Sequence, residues 1–222
     1  MKFKYLEFIT AAFTVVLILS NIASTKISTV FGFSFDGGLV LFPLAYIFGD
    51  ILTEVYGYAR ARRVIWTGFA MNILMVLVFW VVGALPAAAD WPLQEAYMSI
   101  LGVVPRIVAA SLAAYLCGEF INSYVLAKLK VKMAGKKFWM RALSSTVVGQ
   151  LFDTTIFTLI AFAGILPWSL LWSIWLTNYV VKIAVEIILL PFTYRAVAFL
   201  KKKEAVDFFD TNTNFNPVRL TE

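Results

Sequence analysis

Tyr46 to Arg63 reads "YIFGDILTEVYGYARARR". It begins as an apolar helix suited to a lipid bilayer. It carries Asp50 and Glu54 one helical turn apart, then ends in Arg60, Arg62 and Arg63. Two carboxylates inside such greasy material either have a purpose or argue against a membrane span. The rest of the chain decides between the two.

The chain has 222 residues, 61% hydrophobic and only 14% charged, with a mean hydropathy of +0.84. Soluble domains are nearer half apolar and about a quarter charged. Here apolar runs long enough to span a bilayer recur, so the chain reads as an integral membrane protein. The formal charge is +6. Its basic residues sit in short clusters beside apolar spans, which favours control of topology over nucleic-acid binding. Histidine is absent and Cys117 is the lone cysteine, so no internal disulfide and no thiol or imidazole metal site is expected. No Walker or Rossmann glycine pattern occurs, so the chain has no evident nucleotide-hydrolysing engine of its own, and no cofactor is expected.

Six transmembrane helices can be drawn: Leu6–Ser24, Gly38–Tyr58, Val64–Leu85, Ile107–Leu126, Ala142–Ile165 and Leu170–Ala198. The first follows Lys2 and Lys4 without a clear cleavage site and is read as a retained helix. Arg60 to Arg63, the cluster Lys128 to Arg141, and Arg195 with Lys201 to Lys203 fall on one side. The positive-inside rule then puts both termini in the cytoplasm. Ala87–Pro105 is mixed polar and apolar, as an interfacial helix would be. The expectation is a single all-α membrane domain over residues 1–203 and a polar, disordered cytoplasmic tail over 204–222.

Three spans share a polar motif: "AYIFGDILTE" from Ala45, "AYLCGEFINS" from Ala114 and "STVVGQLFDT" from Ser145. Small or polar residues recur every four positions, in the stripes Ala45–Gly49–Thr53, Ala114–Gly118–Asn122 and Ser145–Gly149–Asp153. Each glycine precedes an acid or amide: Asp50, Glu119 or Gln150. Fourfold spacing keeps a stripe on one face, and small residues there let membrane helices approach closely. Helix packing alone explains the glycines. It explains the acids less well, because a carboxylate at membrane depth costs several kcal/mol and usually marks a pathway or site. At ~1.5 Å per residue, Asp50, Glu119, Asp153 and Lys182 each lie roughly 14 to 20 Å from a basic flank. That is near the midplane of a core ~30 Å thick, where carriers hold substrate.

Asn178, Lys182 and Glu186 share a face of the last span. Lys182 can pair with Glu186 or with Asp153, and such a pair can simply hold helices together. The acids outnumber it, so some must be protonated, paired with a cationic ligand or open to water. Buried carboxylates want N–H donors, as on an aminopurine-like edge.

The stretches "SNIASTKI" (Ser20–Ile27), "FPLAYIFGDILTEVYG" (Phe42–Gly57), "GQLFDT" (Gly149–Thr154) and "NYVVKI" (Asn178–Ile183) resemble the queuosine precursor transporter family, also called the vitamin-uptake transporter, or VUT, family. The resemblance implies a six-helix inner-membrane protein that imports 7-cyano-7-deazaguanine, 7-aminomethyl-7-deazaguanine or queuine for tRNA modification. It implies a fold similar to the substrate-binding subunits of energy-coupling-factor transporters. It implies no enzyme activity. By resemblance Asn21, Asp50, Glu54, Gln150, Asp153, Asn178 and Lys182 are candidate substrate-binding residues. Glu119 and Asn122 join them on the depth and stripe arguments. Expected partners are a small deazaguanine base, the bilayer, and either a second copy or an energising ATPase module. The rival readings are a substrate-capture subunit for another flat nitrogenous ligand and an intramembrane aspartyl hydrolase using Asp50 and Asp153. Ile47 stands where such hydrolases carry glycine.

Overall fold

A computed structural model describes residues 3–31, 33–102, 104–164 and 167–217. The elements in order are α1 (Leu6–Ala23), a hairpin of β1 (Ile27–Val30) and β2 (Phe33–Asp36), a 3-10 turn (Gly37–Val40), α2 (Phe42–Tyr56), α3 (Tyr58–Ala84), α4 (Gln94–Leu101), α5 (Val104–Lys132), α6 (Phe138–Phe162) and α7 (Trp168–Glu204). Apart from the hairpin, all regular structure among the described residues is helical. The hairpin pairs Ile27 with Asp36. Asp36 caps the turn that follows, accepting from Ser24 Oγ at 2.8 Å and Gly38 N at 2.9 Å.

Polarity is distributed opposite to that of a soluble domain. Leu74, Leu77, Trp80, Trp172, Ile188 and Phe192 are exposed, while Asp50, Glu54, Glu119, Asp153, Lys182 and Glu186 are buried. Lipid can solvate the first set; the second must be satisfied inside. Among the described residues, five stretches are long and apolar enough to cross a membrane: Leu6–Ala23, Tyr58–Ala84, Gln94–Lys132, Phe138–Phe162 and Trp168–Glu204. The chain is a multi-pass membrane protein.

The opening stretch departs from its expected form. The second span is expected to run to Tyr58, with the arginines in the loop after it. Instead the chain turns at Gly57 (φ 86°) and α3 begins at once, so the arginines lie in the first turns of α3. Only glycine takes that φ freely, and a Cβ there would also strike the Phe208 ring. α2 is therefore only 15 residues, a rise of ~22 Å. It packs against α1, α3, α5 and α7 and is enclosed by them. A helix so enclosed need not be apolar all round, which is how it can carry two acids.

α7 runs through Pro191, which lacks the N–H that would reach the Ile187 carbonyl. The tail is the second departure. Where its polar composition suggests disorder, residues 205–217 pack along the basic end of the bundle. Phe208, Phe209 and Phe215 supply the apolar contacts that the composition hides, against Gly57, Gly135 and Tyr58 respectively.

Candidate functional site

The three glycine stripes meet. A Cβ on Gly118 would stand 3.0 Å from the Gly149 carbonyl oxygen, and one on Gly149 would stand 2.9 Å from that of Gly118. α5 and α6 thus cross backbone to backbone, which glycine alone permits. On α2 the space left by Gly49 is taken by the Glu119 carboxyl. Thr53 donates to Ser123 Oγ at 3.0 Å across the same face.

This packing gathers the candidates from α2, α5, α6 and α7. Asn122 Nδ2 donates to Asp50 Oδ1 at 2.8 Å. Lys182 Nζ donates to Asp153 Oδ2 at 2.7 Å and lies 4.9 Å from the centre of the Phe42 ring. Of the two pairings open to Lys182, the structure has the one with Asp153. Glu186 instead accepts from Thr146 Oγ1. Glu119 is wholly buried; its Oε1 accepts a long bond from Ser123 and its Oε2 has no partner among the described residues. The side-chain oxygens of Gln150, Asn178 and Asn122 are also buried without a partner. Buried acceptors are costly when unpaired, so this centre is poised to receive hydrogen-bond donors.

Two candidates lie apart from this group. Asn21 donates to Asn72 Oδ1 at 2.6 Å, tying α1 to α3. Glu54, one turn beyond Asp50, is ringed by cations. Arg141 grips both its oxygens, at 2.5 and 3.1 Å, and Lys201 lies at 2.7 Å and Lys130 at 3.7 Å. Lys130 also donates to Asp207 at 2.6 Å and to the Phe208 carbonyl at 2.7 Å, which brings the tail into the same cluster. Burial works against the charged form of Asp207, but Lys130 and Lys201 more than offset it and hold its carboxyl below its ordinary range. Asp210 accepts from the Tyr58 backbone N–H and from Thr213, yet burial prevails and holds its carboxyl above that range.

Sequence reasoning missed Tyr46 and Tyr115. Both are fully buried, their rings are 6.1 Å apart and their hydroxyls have no partner among the described residues. The signal was present: each stands four residues before an acid in the repeated "AYxxG[D/E]" of α2 and α5. Asn72 and Thr146 were missed too, since neither belongs to a stripe.

A cleft bounded by Asp36, Phe42, Ser111, Asp153, Asn178 and Lys182 leads from the hairpin side to the polar centre. Its free volume is about 10 Å³, room for a single water. A flat base therefore enters only if the cleft widens. A larger groove of about 600 Å³ lies between β2 and α7, but Phe35, Leu39, Leu176 and Val180 make it apolar. Thr177 is the one polar side chain on its lining and no charged group faces it, so the narrow cleft is the better site.

The chain matches the family model described as "Putative vitamin uptake transporter" over residues 36–196. That range contains every candidate except Asn21. The chain is 34% identical over 191 residues to the "Probable queuosine precursor transporter" of Bacillus subtilis (strain 168), covering 84% of this chain and 82% of that one. It is 27% identical over 161 residues to the "Queuosine precursor transporter" of Escherichia coli (strain K12), covering 72% and 70%. No solved structure matches it.

Proposed function

The chain belongs to the vitamin uptake transporter family, and from that premise we propose that it imports 7-deazaguanine precursors of queuosine: 7-cyano-7-deazaguanine, 7-aminomethyl-7-deazaguanine or queuine. One observation carries the reading. Buried acceptors exceed donors at the convergence of four helices in a membrane protein. A guanine-type edge presents an N–H and an adjacent NH₂ that one carboxylate accepts together, and Glu119 Oε2 suits that role. Gln150 and Asn178 read the carbonyl and pyrrole positions. Tyr46 and Tyr115 wall the centre. Asp153 and Lys182 form the gate that the cleft must part.

The same reading has six crossings, with α2 and its preceding 3-10 turn completing the second. Both termini face the cytoplasm, in keeping with the basic clusters at the Glu54 end. The Glu54 cation cluster then lies on the way out.

The test is the queuosine content of tRNA in a strain unable to make the precursor. This gene is expected to restore modification when a deazaguanine is supplied, and Glu119→Gln to abolish it. No restoration with any of the three bases overturns the substrate assignment.

A further inference from the structure

Charge accounting in the core leaves a remainder. Glu54 is matched by Arg141, Lys130 and Lys201, and Asp153 by Lys182. Asp50, Glu119 and Glu186 are at most 3% exposed, and among the described residues none has a cation within ion-pair distance. An unpaired charge at such depth costs several kcal/mol, and two adjoining carboxylates do not both ionise there.

The placement of Asp50 and Glu186 adds a second constraint. They stand on α2 and α7, which pack against each other, and buried carboxylates that no cation compensates hold protons rather than charge. Each accepts a hydrogen bond, Asp50 from Asn122 and Glu186 from Thr146. Beside Asp50, the wholly buried Glu119 carboxyl fills the space at Gly49 and the Asn122 amide holds Asp50, and Glu119 Oε2 and Asn122 Oδ1 have no partner among the described residues. The other titratable groups around the pair are Tyr46 and Glu54 on α2, Tyr115 on α5, Asp153 on α6 and Lys182 on α7. Of these Glu54, Asp153 and Lys182 are already ion-paired.

We propose that the Asp50–Glu186 pair is a proton-binding site that couples import to the proton gradient. It takes up one proton from the outer solution with each substrate and releases it at the Glu54 end. Only O–H bonds form and break. Lys182 lies one turn from Glu186, so parting the Asp153–Lys182 gate changes the field on the pair. Gate and proton site are thereby linked through one face of α7. The inference rests on the import reading but fails separately from it.

The experiment uses the full chain in sodium-free proteoliposomes with 7-cyano-7-deazaguanine, whose neutrality leaves the substrate itself out of the charge balance. With the lumen one pH unit more alkaline, one proton per substrate predicts about tenfold greater accumulation than without the gradient. A protonophore is expected to remove that gain. Glu186→Gln is expected to accumulate no more with the gradient than without it, and Glu186→Asp to regain the response. Uptake indifferent to pH gradient and protonophore, or driven by sodium instead, overturns the proton site. If the Gln variant fails to fold, the protonophore arm still decides. If no deazaguanine crosses or binds under any gradient, the import reading falls instead.

Discussion

Asp50 and Glu54 are one turn apart on the same helix, and their surroundings are opposite. Asp50 accepts from an amide, with no cation within ion-pair distance among the described residues. Glu54 meets three cations and, through Lys130, the carboxyl-terminal tail. Identical chemistry separated by ~6 Å of rise serves as a site in one place and as a fastening in the other. What decides is which neighbouring helix ends at that level. The basic ends of α5, α6 and α7 converge on Glu54, while the interiors of α5 and α7 converge on Asp50.

Removing the Glu54 charge gives the strongest test of that contrast. Glu54→Gln strands the buried guanidinium of Arg141 without its carboxylate, and is expected to destabilise the protein by about 3–5 kcal/mol, read as a large fall in Tm in detergent. An unchanged Tm would erase the distinction between the two acids. Gly118→Val forces apart the α5–α6 crossing that holds both neighbourhoods in register, with an expected cost of about 1–3 kcal/mol by the same measurement.

Asp207→Asn affects the fastening alone. Its carboxylate is half-exposed, so about 0.5–1 kcal/mol is expected. Because the folded carboxyl is held below its ordinary range, its contribution is full above the unfolded value of about 3.9 and fades as pH falls through the lower folded value. Limited proteolysis of the tail is expected to accelerate over that acidic window, and the Asn variant to lack this dependence on the Asp207 charge. Asp50→Asn is expected to have the smallest effect on stability, within about 0.5 kcal/mol, because an amide keeps the shape and needs no compensating charge. Its import of deazaguanine is nonetheless expected to fail. A Tm loss comparable to that of the Glu54 variant would show that Asp50 is a fastening as well.

The polar centre was legible in the sequence because buried acids are costly and therefore conspicuous. Asp50, Glu119 and Asp153, standing beside small-residue stripes in separate spans, pointed to one convergence, and the stripes do pack there. The partner of Lys182 was not legible, since Asp153 and Glu186 satisfy the same spacing argument and only the α6–α7 packing chooses. The short α2 was hidden because hydropathy does not register a turn at a single glycine. The tail was hidden for a related reason. Arg62 and the Trp66 indole hold it by the carbonyls of Asn214, Asn216 and Pro217, at 2.7 to 2.8 Å, and a carbonyl leaves no mark on composition.

Those carbonyl bonds have a practical consequence for handling the protein. Any residue but one that bends the path can supply them, so the segment tolerates changes of side chain but not of route. A purification tag or fluorescent reporter joined at Ala205 would replace the piece of chain that closes over Lys130 and Glu54. One joined beyond Pro217 would leave it seated.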